Sequence, residues 1–536
     1  MKRKISWTLK KAAAAASASV LVFSMPATAS AEGVTYCDRE KEALKAASAY
    51  LAEDWDQSLE TSLTQSGSLA SNAVMDLNLT VDEAGRSMLG MLTGMDLSWL
   101  QDVALHMDAS VADSKEAVML SALVNDSTIC SMYAMMDYLA GMEYIQIPEM
   151  SPAYLKASLE EAGAEAVSGY MTAISDILED PKAVLPEGAV LGEILDRYGM
   201  IVIDHMQEGA SVEETISIDG IGEDCTLLEG QIFQEEMTTI AREILTTAQT
   251  DEQIKEILTK CTEINPESGD LNAQFQEFLA NTLADLDGAA EETAEDAANE
   301  YLASRIWINS DNRIVGREIA LCEGVDSQVS LTWKNPQNGD TSGFLLSMYS
   351  EGSELALTGN GQSADGVLNG TYSLVADGAV MMDISVENYN SNANGEGYPA
   401  GTFTMTFPSG ESEEEYNPLS AFSLVADLSS DSADQSVDLK LSVLSSGASL
   451  CSLTLHVAAS GDGVEAVAEE DMGTVYDLTS EEDMSAYEAE MNFDTIRANA
   501  ENAGVPAEVI DMIAESMSET EGEVEVLEDV PADDAA

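Results

Sequence analysis

Apolar positions along this chain change their period several times. From Asp38 to about Thr64 they recur at three- and four-residue steps (Ala43, Leu44, Ala47, Tyr50, Leu51, Trp55, Leu59). That spacing predicts an amphipathic helix with Asp38 as its N-cap. After the break Ser66-Gly67-Ser68 the period falls to two, and Val74, Asp76, Asn78 and Thr80 interleave with Met75, Leu77, Leu79 and Val81. Alternation returns over residues 103–111, 117–123, 129–135 and 144–147, with polar turns at Asp113-Ser114 and Asn125-Asp126. An antiparallel meander is therefore expected.

Pro148 and Pro152 end the meander. Helical spacing then runs from Ala153 to about Gln207, interrupted near Pro181 and Pro186, and two strands are predicted at 213–218 and 224–232. Helices follow at about 235–263 and 271–300; the second carries Phe275, Phe278, Leu279, Leu283 and Leu286 on one face, and 291–300 reads as its solvated end. From Tyr301 to about residue 460 the chain alternates again, punctuated by turns such as Gly339-Asp340, Asp377-Gly378 and Ser446-Gly447. A last helical stretch, 482–515, contains a joint at Gly504 and Pro506.

This order predicts an α+β fold. Its expected frame is a large curved antiparallel sheet, half-barrel-like, with helices inserted between two strand-rich segments and packed on its concave face. Along the chain the divisions fall at 1–31, 32–150 (helix plus strands), 151–300 (mostly helical), 301–460 (strands), 461–518 (helical) and an acidic, disordered tail at 519–536.

Charge adds a destination. Lys and Arg total 22 against 98 Asp plus Glu, for a net charge of −76. Five of the bases (Lys2, Arg3, Lys4, Lys10, Lys11) precede an apolar run, Ala12 to Phe23, and the small-residue site Ala29-Ser30-Ala31. These are the parts of a secretory signal peptide, so cleavage after Ala31 and a secreted, extracellular product are expected. A surface so negative repels phosphate backbones, which excludes nucleic acid as a partner. No apolar run after the leader is long enough for a transmembrane helix.

Six cysteines (Cys37, Cys130, Cys225, Cys261, Cys322, Cys451) are disulfide candidates in an exported protein, while buried free thiols are the alternative reading. None is spaced Cys-x-x-Cys. The three histidines, His106, His205 and His456, have no metal-motif partner along the chain and read as isolated. Gly339-Asp340-Thr341-Ser342-Gly343 misplaces the serine of a nucleophile elbow, and Gly359-Asn360-Gly361 lacks the third glycine of a dinucleotide loop. Asn390 to Gly395 imitates a calcium loop but offers neutral amides, with Gly401 where a bidentate Glu belongs. Neither an enzymatic activity nor a cofactor or metal is expected.

Methionine is concentrated. Ten of the 26 fall between Met88 and Met150. Met side chains suit irregular cores and adaptable apolar surfaces, so Met107, Met119, Met132 and Met135 are candidate lining for an apolar ligand, with core packing as the alternative.

Four strings, Met95 to Leu100 (MDLSWL), Tyr144 to Leu155 (YIQIPEMSPAYL), Cys225-Thr226 and Arg313 to Ile319 (RIVGREI), resemble an uncharacterised family of secreted proteins from low-GC Gram-positive gut bacteria. The order of elements is also distantly similar to the lipoprotein-carrier half-barrel. That likeness implies a helix leading into a curved sheet whose concave face is lined by helices; no ligand-contacting residue carries over. The expected function is a secreted, non-enzymatic protein holding an apolar or lipid-like ligand. The alternative is a structural or surface-interaction module that contacts a cell-envelope component, and a hydrolase ranks third.

Overall fold

The computed structural model describes residues 35–66, 71–112, 115–137, 140–158, 185–264, 269–289, 300–323, 326–350, 352–393, 399–409, 417–431, 435–459 and 463–520. The expected leader at 1–31, the helical pattern expected at 159–184, the expected solvated helix end at 291–299 and the expected tail from 521 lie outside them. The architecture is α+β, with open, predominantly antiparallel sheet as its frame.

In chain order the elements are α1 (Tyr36–Ser66), β1 (Ser71–Val81), α2 (Glu83–Thr93), β2 (Asp102–Ala112), β3 (Lys115–Val124), β4 (Ser127–Asp137), β5 (Met142–Gln146) and β6 (Tyr154–Ser158). Next come α3 (Gly188–Asp204), β7 (Gln207–Ile218), β8 (Ile221–Phe233), α4 (Gln234–Thr250), α5 (Glu252–Ile264) and α6 (Leu271–Ala289). The long strand region holds β9 (Glu300–Asn309), β10 (Ile314–Glu323), β11 (Asp326–Lys334), β12 (Gln337–Asn338), β13 (Thr341–Ser350), β14 (Ser353–Ala364), β15 (Val367–Ala376), β16 (Ala379–Asn390), β17 (Ala400–Thr406), β18 (Phe422–Asp431), β19 (Ser436–Ser445) and β20 (Ala448–Ala458). The chain closes with β21 (Val475–Asp477), α7 (Glu481–Glu490), α8 (Asp494–Asn502) and α9 (Ala507–Thr520).

Two compact units divide these elements, and neither is a continuous stretch of sequence. One combines Met1–Leu69 with Leu159–Ser430, the other Ala70–Ser158 with Asp431–Ala536.

In the first unit the strands run β7-β8-β9-β10-β11-β13 and on through β14 to β18, each antiparallel to the next. Alternation sorts β8–β10 into two buried faces. On one, Ile232, Leu302, Ile306 and Ile319 pack with Tyr36 and Ala43 of α1, Val202 of α3 and Ile240 of α4. Helices α1 and α3 approach closely because Gly188 and Gly192 have no side chain: a Cβ on Gly188 would collide with the Ala52 carbonyl oxygen. On the other face Ile216, Cys225, Trp307 and Val315 form a smaller core. The tip of the β7–β8 hairpin folds onto β13, where Ile218 occupies the space a Cβ of Gly343 would need. Register shifts at Ile314/Gly316, Leu321/Cys322, Leu368/Gly370, Leu374/Val375 and Glu387/Asn390 mark β-bulges, which bend and coil a sheet.

In the second unit the order is β19-β20-β1-β2-β3-β4-β5-β6, antiparallel throughout, with short β21 parallel to β6. Strands from both alternating regions of the sequence thus share one sheet, with Leu77 of β1 opposite Leu455 of β20. Three elements differ from the sequence expectation, the first being β21, a short strand inside the 461–518 stretch expected to be helical. Tyr154–Ser158 is a strand rather than a helix start, because it finds two pairing partners, β5 and β21, and buries Tyr154. Helix α2, which the apolar run after Arg86 concealed, connects β1 to β2.

Candidate functional site

The second unit's sheet is two-faced. Cross-strand registry aligns Val457, Met75, Met107, Leu120 and Met132 in one row over β20, β1, β2, β3 and β4. Beside it run Leu455, Leu77, Leu105 and Ala122, then Leu453, Leu79, Val103 and Val124. Directly opposed residues share a face, so these rows make a continuous apolar surface. At the β3–β4 end it is closed, where Val124 and Ile129 pack with Ala500, Ala503 and Val505 around α8 and α9. Over β20, β1 and β2 it stays open: Leu79, Leu105 and Val457 are 40%, 42% and 43% exposed.

The four methionines singled out in the sequence do not line one surface. Met107 and Met132 flank Leu120 on the open apolar face. Met119 and Met135 point the other way, into a core with Ala117, Tyr133, Tyr144 and Met472, and Met135 is 1% exposed. The segment around residues 464–475 covers that core. Ser110 Oγ donates to the Val464 carbonyl, and Tyr133 Oη donates to the Glu465 carbonyl (3.2 Å) while accepting from Val467 N (3.0 Å). Residues three apart on a strand, like Met132 and Met135, take opposite faces, a signal present in the sequence.

On this second face, beside the covered core, lies a polar row that sequence reading missed. Asp438, His456, Asp76, His106, Ser121 and Ser131 stand opposite one another across β19, β20, β1, β2, β3 and β4. His106 Nδ1 is 2.5 Å from Asp76 and Nε2 is 2.8 Å from Asp108; His456 Nδ1 is 2.8 Å from Asp438. Hydrogen bonding to Asp76 holds the His106 pKa above its ordinary value, with Asp108 adding to it and partial burial opposing. With both ring nitrogens bound to carboxylates, His106 has none left to take a proton from Ser121. The arrangement is a row of carboxylate–imidazole and hydroxyl hydrogen bonds, not a nucleophile and its base.

All six cysteines are free, which corrects the disulfide expectation for Cys37, Cys130, Cys225, Cys261, Cys322 and Cys451. The reason lies in the register. Cys130 faces Ala122, Cys225 faces Glu214 and Asn309, and Cys451 faces Val81 and Val443, so no strand cysteine stands opposite another. Cys225 and Cys322 are buried as small apolar side chains, and burial pushes the Cys225 thiol up to about 12. Among the described residues no three His, Cys, Asp or Glu side chains are placed to hold a metal ion, and no helix is long and apolar enough to cross a membrane.

Compared with known protein families, curated proteins and solved structures, the chain has no match.

Proposed function

We propose that this is an exported, non-enzymatic protein that binds an apolar, lipid-like ligand on the open face of β20, β1 and β2. One observation carries the reading: the apolar rows through Met75 and Met107 continue across strands from both ends of the sequence and remain about two-fifths exposed at Leu79, Leu105 and Val457. Contiguous apolar patches of that kind mark binding surfaces. Methionines among the leucines let such a surface adapt to a flexible hydrocarbon chain. Native mass spectrometry and solvent extraction of the purified protein test it, together with uptake of a fluorescent fatty acid. Retention of an apolar molecule, lost in Leu105→Glu, is the expected result; a protein that neither retains nor takes up such a molecule overturns it.

A second reading, an envelope- or protein-contacting module, is favoured by the tip of α2, where Met91 and Leu92 are 82% and 72% exposed. No charged residue falls between Arg86 and Asp96. Pull-down from cell envelope that persists after delipidation, and is lost in Met91→Asp, would favour this reading over the first.

A further inference from the structure

The first unit carries a groove of a different chemical character. Its volume is about 500 Å³, and its walls are β14 to β17 on one side and the β7–β8 turn on the other. Registry aligns Thr358, Ser373, Asp383 and Thr406 in one cross-strand row and Thr371, Ser385 and Thr404 in the next. The first row therefore offers a hydroxyl or carboxylate at every strand from β14 to β17 and the second a hydroxyl on β15, β16 and β17, about 4.8 Å apart. Ser373 Oγ donates to Asp383 Oδ1 at 2.6 Å, which fixes that carboxylate. Asp219, in the Asp-Gly turn between β7 and β8, lies on the opposite wall and has positive φ (48°), as this tight hairpin turn requires.

From this lining we infer that the groove is a binding site for a neutral, linear glycan, independent of the apolar face of the second unit. An apolar ligand is the wrong occupant, because it would strip water from two rows of hydroxyls and return no hydrogen bonds. Anionic polymers are also wrong: no Lys or Arg lines the groove, and the chain carries a net charge of −76. Sugar hydroxyls both donate and accept, which matches Thr and Ser side chains flanking carboxylate acceptors. The inter-strand repeat is comparable to the length of one pyranose unit, so a chain laid across the strands meets the same pattern at each step. Tyr372, Val375, Val380 and Ile384 supply the apolar part of the lining, about as large as the polar part, for the sugar ring faces.

The test is calorimetric titration of the full-length protein with neutral hexasaccharides of the cello-, malto-, manno- and chito- series, with polygalacturonate as the anionic control. Thr371→Val/Thr404→Val removes two hydroxyls while keeping β-branched side chains suited to strands. Binding of at least one neutral series is expected, insensitive to added salt and weakened about tenfold or more by the double variant. It should be unchanged in Leu105→Glu, which separates it from the apolar-ligand reading. No binding by any series, equal binding of polygalacturonate, strong salt dependence, or full affinity in the double variant each overturns the proposal.

Discussion

Arg317 of β10 reaches Glu40 of α1 through the centre of the first unit, its Nη1 2.7 Å from Oε1, with side-chain exposures of 9% and 0%. Tyr36, one turn before Glu40, lies in the same buried cluster, and burial followed by the Glu40 charge holds its phenol well above the ordinary value. Removing one partner of a buried pair leaves the other charge unsatisfied. Glu40→Gln should therefore cost about 3–5 kcal/mol, read as a shift in the urea midpoint. The double change Glu40→Leu/Arg317→Met removes both charges and should recover most of that loss. A double variant no more stable than Glu40→Gln would show that the pair is not the cause.

The free cysteines give a direct chemical count. Thiol titration of the denatured, unreduced protein should find all six, and reduction should leave gel mobility unchanged. In the native state Cys261, which is exposed, should react first, while Cys225 and Cys322 wait for unfolding. Burial, not a bond, protects them, so their labelling rate should rise with urea.

Most of the frame was legible in the sequence because period-two alternation is a local property. The strands after Tyr301 follow from it directly, helix α1 follows from the equally local three- and four-residue spacing, and Gly504 and Pro506 mark the joint between α8 and α9. The pairing of β1 with β20 is a different matter. It depends on matching apolar faces far apart in sequence, and no local spacing encodes which remote strand Leu77 will meet. The same limit hid the polar row. His106-x-Asp108 is visible as two residues on one face of a strand, but Asp76 and the partners of His456 come from neighbouring strands. The methionines divide between the two readings for a simpler reason: Met107 and Met132 take the apolar face and Met119 and Met135 the core, and composition ignores which face a side chain takes.

Met107 and Met135 should consequently respond to substitution to very different degrees. Met135 is fully buried against Tyr133 and Tyr144, so Met135→Ala should cost about 2–5 kcal/mol by opening a cavity. Met107 stands on the open face, and Met107→Ala should cost less than about 1 kcal/mol. Met107→Glu should abolish retention of an apolar ligand while leaving thermal stability close to the parent. Equal destabilisation by the two alanine changes would mean that the second unit's apolar face is covered.

The carboxylate-bound imidazole of His106 predicts a pH dependence with a definite sign. Its folded-state pKa is raised by Asp76 and Asp108, so protonated His106 favours the folded state. That stabilisation is complete below the unfolded value of about 6.5 and is lost as the pH rises through the folded one. The group is 35% exposed and the two carboxylates are similarly open, so solvent screening limits the effect to about 0.5–1 kcal/mol. Urea midpoints for the parent and His106→Gln should differ most near pH 6 and converge in alkaline buffer. The variant serves as the reference because general repulsion among the acidic side chains acts on both proteins alike. A constant difference across that range would mean that His106 contributes by packing and not by charge.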